Sequence, residues 1–168
     1  MATELYDLTA PVFLRAFKAM AAFLDKGRAW ADENGVAHAE LLEARLYPDM
    51  APLTAQVQRA SDSAKLALVR IGGVEGPAMP DDEVSFADLQ ARIAKTVAFI
   101  ESVPRAAIDG KEGAEVVLKF PNGEYPFTGQ SYAIGFVLPN FYFHVTTAYA
   151  ILRMKGVPVG KIDFLGGL

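Results

Sequence analysis

Apolar residues recur at helical intervals in four stretches of this chain. Between Thr9 and Asn34, Phe13, Phe17, Met20 and Leu24 fall three or four apart, with Leu14 and Ala21 beside them, which is the buried stripe of an amphipathic helix. Thr9 is placed to cap it, Pro11 is tolerated in its opening turn, and Asn34-Gly35 ends it because both residues accept a left-handed conformation. A second stretch begins near Ala37, is interrupted at Tyr47-Pro48, and resumes to Ile71, where Gly72-Gly73 stops it. Its inner stripe is Met50, Leu53, Val57, Ala60, Ala64, Ala67, Leu68 and Ile71, and the alanines let a neighbouring helix approach closely. A Pro-, Gly- and acid-rich loop from Val74 to Val84 leads to a third helix. Ser85 with Asp88 resembles a capping box there, and Phe86, Leu89, Ile93, Val97 and Ile100 form the buried face before Pro104. A last helix starts around Ser131 or Pro139 and runs to Lys155, with Gly156 as its cap and an irregular tail from Val157 to Leu168.

The period changes between the third and last helices. Val116-Val117-Leu118-Lys119-Phe120 is β-branched and aromatic, Asn122-Gly123 is a strong hairpin signal, and Tyr125 and Phe127 follow. A two-stranded ribbon over 114–128 is predicted, with Pro121 and Pro126 marking exposed edges. Such a ribbon is no fold by itself and must pack on other elements. The expected architecture is therefore mainly all-α: a four-helix bundle with a small β-hairpin inserted before the last helix, in one domain spanning 1–168.

Composition narrows the function classes. The 168 residues are 52% hydrophobic and 21% charged, which suits one globular domain. The net charge is −4 and Lys and Arg form no run, so nucleic acid is not an expected partner. There is no cysteine, hence no disulfide, thiolate nucleophile or cysteine metal site. The segment Met1–Leu8 has no basic n-region, and no apolar run reaches the roughly 18–20 residues a membrane span needs, so a cytoplasmic protein without membrane contact is expected.

The chemistry concentrates on the last helix. Advancing about 100° per residue puts Asn140, His144, Thr147 and Ile151 on one stripe. Phe141, Val145, Ala148 and Leu152 flank it on one side, and Phe143, Ala150 and Met154 on the other. Asn140 and His144 thus sit in the middle of an apolar arc, and leaving such groups unpaired costs about 1–3 kcal/mol each, so they need partners, water or a ligand. Gln56 borders the stripe of the second helix, with Ser63 near it, and Gln58, Asp49 and Asp62 are its other notable polar residues. Gln56, Asn140, His144 and Thr147 are the candidate pocket, and His144 the candidate catalytic residue. Tyr142, Tyr149 and Arg153 lie opposite, where they suit a subunit contact in a homodimer. Elsewhere the signals are weak. His38 falls in an expected surface turn, and Trp30 reads as a core or interface aromatic. Asp81-Asp82-Glu83 reads as a solvated loop. Gly160-Lys161 lacks the glycine spacing of a phosphate loop, no serine sits in a Gly-x-Ser-x-Gly elbow, and no Glu-x-x-His occurs.

The runs from Ala44 to Gln58 and from Leu138 to Arg153, with Gly160–Gly166, resemble an uncharacterised bacterial family, the domain of unknown function DUF1993, over essentially the whole chain. That family is grouped with the DinB-like four-helix bundles, a group that includes metal-dependent thiol transferases and damage-inducible proteins. The resemblance implies the same bundle. It also implies a place for a divalent metal, since DinB-like proteins hold one with a histidine on helix two and two more a turn apart on the last helix. Those positions fall on Gln56, Asn140 and His144, of which only His144 keeps histidine. The expected function is a DinB-like bundle with a metal-free polar pocket for a small molecule. A metal-assisted transferase or hydrolase using His144, and a structural or stress-associated dimer without ligand, are the alternatives.

Overall fold

The computed structural model describes residues 4–167. Four long helices form the bundle: α1 (Ala10–Asn34), α3 (Leu53–Gly72), α4 (Phe86–Ser102) and α7 (Leu138–Met154). Short helices join or extend them: α2 (His38–Leu42), α5 (Arg105–Ile108), α6 (Gly129–Tyr132) and α8 (Lys161–Leu165). Strands β1 (Glu115–Phe120) and β2 (Gly123–Thr128) pair antiparallel as a two-stranded sheet before α6. None of the described helices is long and apolar enough to cross a membrane.

The predicted stripes make the core. Phe13, Phe17, Met20 and Leu24 of α1 are fully buried, and Phe13 and Phe17 meet Phe141 of α7 edge-on at centroid distances of 4.9 and 5.4 Å. Ala60, Ala64 and Ala67 of α3 have no exposed surface, which lets α7 lie close along it. Pairs between these two helices run His144 with Gln56 and Asn140 with Ser63, and Tyr132 of the preceding α6 continues the series to Arg70, so α7 runs antiparallel to α3. Gly35 closes α1 at φ 64°, and Ser85 Oγ accepts the Asp88 amide at the start of α4, both as the sequence implies.

Several local expectations are corrected. Thr9 does not cap α1 with its side chain; its buried hydroxyl donates backwards to the Leu5 and Tyr6 carbonyls. The second helical stretch is only the short α2 until Pro52 releases the chain into α3, leaving Met50 in the connection. The hairpin turns on Pro121-Asn122, with Phe120 paired to Gly123, one residue earlier than Asn-Gly implies. Proline cannot take a positive φ, so that conformation moves to Gly123 at 147°. The last helix begins at Gly129 and passes through a π-helical turn, Ala133–Val137, into α7. Pro139 lacks an N–H and crowds the carbonyl of Gly135, and the widened turn just before it absorbs that mismatch. The tail is not irregular throughout: α8 packs on α1, and its Phe164 covers Tyr149 at 5.8 Å.

Candidate functional site

A cavity of about 250 Å³ opens where α3, the π turn with α7, and β1 meet. Along α3 it is lined by Arg59, Asp62, Ser63, Leu66 and Arg70; Tyr132, Phe136, Val137, Asn140 and His144 face them, and Leu118, Lys119 and Phe120 roof the space. The hairpin roofs it because β1 alternates: Val116 and Leu118 point to the bundle while Glu115 and Lys119 turn outward.

His144 is 7% exposed and held in one tautomer. Gln56 Nε2 donates to the Ala51 carbonyl at 2.9 Å, which turns Gln56 Oε1 toward His144 Nδ1 at 2.7 Å. An amide oxygen only accepts, so Nδ1 carries the hydrogen and Nε2 presents a bare lone pair. Among the described residues Arg92 Nε is the one sealed side-chain nitrogen or oxygen without a partner, so His144 Nε2, which bonds to nothing in the fold, is in contact with the open cavity. One turn earlier, Asn140 Nδ2 donates to Ser63 Oγ at 2.7 Å, which leaves Oδ1 free of side-chain partners.

The charges are lopsided. Asp62 Oδ1 is held by Lys65 at 2.8 Å and by Arg92 at 3.1 Å. Among the described residues neither Arg59 nor Arg70 has a carboxylate partner; Arg70 donates to the Tyr132 hydroxyl at 2.7 Å, and the Arg59 guanidinium bonds to no side chain. Burial, and then the Arg59 charge, push the His144 pKa down from its ordinary 6.5 to about 4. The imidazole is neutral at neutral pH and is a weak proton acceptor, fit to receive a hydrogen bond rather than to abstract a proton.

Of the residues singled out in the sequence, His144 and Asn140 face the cavity, and Gln56 sits behind His144 as its orienting partner. Thr147 takes no part in lining it: its hydroxyl bonds to the Phe143 carbonyl of its own helix at 2.7 Å. Tyr142 and Arg153 are exposed on the far side of α7, whereas Tyr149 is packed between Phe23 and Phe164. His38 is half-buried against Phe86 and pairs with Asp32 at 2.8 Å. The loop acids are not simply solvated, because Asp81 and Glu83 both bind Arg92. Arg59, Arg70, Tyr132 and the hairpin roof were not singled out in the sequence. Yet Gln56, Arg59, Ser63, Leu66 and Arg70 are spaced 3-4-3-4, a stripe along one border of the buried face that helical projection reveals.

These donors do not fit a divalent cation. Both amide atoms of Gln56 are spent, Asp62 is neutralised by two cations, and among the described residues no three His, Cys, Asp or Glu cluster. What remains is one imidazole nitrogen and one amide oxygen beside an unpaired guanidinium, a set too poor in charge and number for zinc or nickel.

A bundle whose second and last long helices bring polar side chains to a shared opening is the DinB-like architecture. The chain belongs to the DUF1993 family, described as a domain of unknown function, whose model matches residues 5–165. Its fold is also that of a crystal structure of a DinB family member protein from Shewanella denitrificans, which is 39% identical over 98% of this chain and 93% of that one, with a TM-score of 0.89. No curated protein matches the sequence.

The His144 environment predicts a pH dependence. Between pH 6.5 and about 4 the unfolded chain takes up a proton that the folded chain refuses, so this stability is present above 6.5 and lost as pH falls. The expected loss is about 2 kcal/mol, less than the whole shift corresponds to because the ring borders the open cavity. Urea unfolding at several pH values in this window should show a steeper decline for the wild type than for His144→Gln; equal slopes would contradict the assignment.

Proposed function

We propose that this protein binds a small molecule in the cavity between α3, α7 and the hairpin, and does so without a metal. The observation that carries the reading is the locked imidazole: Gln56 fixes His144 so that a bare Nε2 faces an opening also lined by Asn140, Ser63 and two arginines without carboxylate partners. A lone pair at the edge of a cavity selects ligand donors, and prior orientation of the ring removes an ordering cost from binding. The low basicity of His144 favours binding over general-base catalysis. Membership of the DinB-like group supports the location, since relatives place their polar residues at the same helix pair.

The test has two arms. Untagged protein equilibrated with Zn, Ni and Mn is expected to retain no stoichiometric metal after dialysis. A fragment screen read by amide and imidazole chemical shifts is expected to move Ser63, Asn140 and His144 together, and to do so no longer in His144→Phe. One equivalent of retained metal, or fragments that cluster elsewhere, overturns the reading.

A further inference from the structure

The cavity does not end at Phe120. A second hollow of about 340 Å³ lies under the hairpin, lined by Leu118, Phe120, Asn122, Tyr125, Phe127 and Phe136, and it shares Leu118, Phe120 and Phe136 with the first. Sharing three side chains, the two hollows adjoin, and the groove they outline has unlike ends. At the α3–α7 end are Arg59, His144 Nε2, Asn140 and Ser63; at the hairpin end is an aromatic trough in which Phe127 and Phe136 lie 6.1 Å apart and Phe120 and Tyr125 5.7 Å apart. Phe120 and Tyr125 remain 47% and 42% exposed, so the trough is apolar surface left open by the fold. Eight residues of helix, about 12 Å, separate His144 from Phe136, which is the span of a decanoyl chain.

The electrostatics select the head of the ligand. Asp62 is the carboxylate among the lining residues, and Lys65 and Arg92 already neutralise it, so Arg59 and Arg70 give the opening a positive excess in a protein of net charge −4. Lys119 is paired to Glu124 and Arg70 is engaged by Tyr132, which leaves Arg59, of the cations lining the cavity, as the one without a side-chain bond among the described residues. A guanidinium with open donors takes a carboxylate or phosphate. The bare Nε2 beside it needs a donor from the same molecule, because Nδ1–H is spent on Gln56.

We infer that the groove takes an amphipathic hydroxy acid: an anionic head on Arg59, an adjacent hydroxyl donating to His144 Nε2, and an apolar chain of medium length in the aromatic trough. The inference rests on the metal-free pocket reading and names its ligand class.

Calorimetry on the full chain with four probes below their micelle concentrations tests it. The probes are 2-hydroxydecanoate, decanoate, lactate and decyltrimethylammonium. 2-Hydroxydecanoate should bind one to one, decanoate several-fold more weakly, and lactate and the cation not measurably. Arg59→Gln, at an exposed position that the fold does not need, should weaken 2-hydroxydecanoate about tenfold, as loss of a charge-assisted pair does. Phe120→Asp should weaken decanoate and 2-hydroxydecanoate alike. Equal binding of the cation, or no effect of Arg59→Gln, overturns the anionic head; lactate binding as well as 2-hydroxydecanoate overturns the tail. If no probe binds while neutral fragments still shift His144, the ligand class is wrong and the pocket stands. If neither probes nor fragments shift His144, both fail.

Discussion

Gly129→Ala is expected to destabilise the protein by about 3 kcal/mol or more, at the upper end for adding one methyl group to a packed site. A Cβ at Gly129 would lie 2.1 Å from the Lys111 carbonyl oxygen and 3.1 Å from its carbon. The obstacle is main chain, so no side chain can swing aside to make room. The opposing strand of backbone is itself tied down: the Gly129 amide donates to the Ala114 carbonyl at 2.7 Å and the Gln130 amide to the Glu112 carbonyl at 2.9 Å. Relief of the clash breaks both bonds at the point where β2 hands over to the last helix. The effect is steric, because Gly129 is not among the glycines with positive φ. Gly35→Ala is the contrasting case: φ is 64° with no atom near the added Cβ, so it should cost only about 1–2 kcal/mol for the left-handed backbone. Urea unfolding of the two variants separates close approach from conformational strain. A Gly129→Ala protein within 1 kcal/mol of wild type, by the scale of such substitutions, would mean that the 111–114 segment yields freely.

Gly129 also marks the boundary of what the sequence reveals. Helix faces are legible because apolar spacing is a local property, and Phe13 through Leu24 or Leu53 through Ile71 carry it without reference to partners. His144 and Asn140 were legible for the same reason: two polar groups in an apolar arc are locally anomalous. Arg59 and Arg70 are not anomalous, since exposed arginines on a helix border are ordinary, and only the absence of a carboxylate opposite them gives them meaning. That absence depends on Asp62 being drawn away by Lys65 and by Arg92 from another helix, which no local pattern encodes. The hairpin was legible as a hairpin, but its role as the roof depends on the short approach of 111–114 to Gly129. Thr147 shows the opposite failure. It shares the stripe of His144, yet a threonine can satisfy itself on the carbonyl four residues back, and it does.

Arg92→Met should cost a further 3–5 kcal/mol, the range for removing one partner of a buried ionic cluster. Arg92 is 4% exposed and binds Glu83 at 2.9 Å, Asp81 at 2.9 Å and Asp62 at 3.1 Å, as well as the Pro80 carbonyl at 3.1 Å. It therefore pins the 74–84 loop to α3 and α4. Burial pushes the Glu83 carboxyl up, but hydrogen bonds from Arg92 and Gln58 outweigh this and hold it below the usual range. With Arg92 present, Glu83 adds stability at neutral pH that is lost as pH falls through its lowered pKa. Without Arg92, burial prevails and the Glu83 pKa rises, so protonation of Glu83 now favours the folded state. The deficit of the variant relative to the wild type should thus shrink as pH is lowered from 7 towards 5, the His144 loss being common to both. Adding Glu83→Gln to Arg92→Met should restore at least about 1 kcal/mol at pH 7 by removing the stranded charge while retaining the acceptor for Gln58. If the double variant is no more stable than Arg92→Met, the loss is one of packing rather than of charge. The cluster also reaches the cavity, because Arg92 is one of the two cations that neutralise Asp62. Once released, Asp62 can offset Arg59, so Arg92→Met protein that remains folded should bind an anionic ligand more weakly although Arg92 itself does not line the groove.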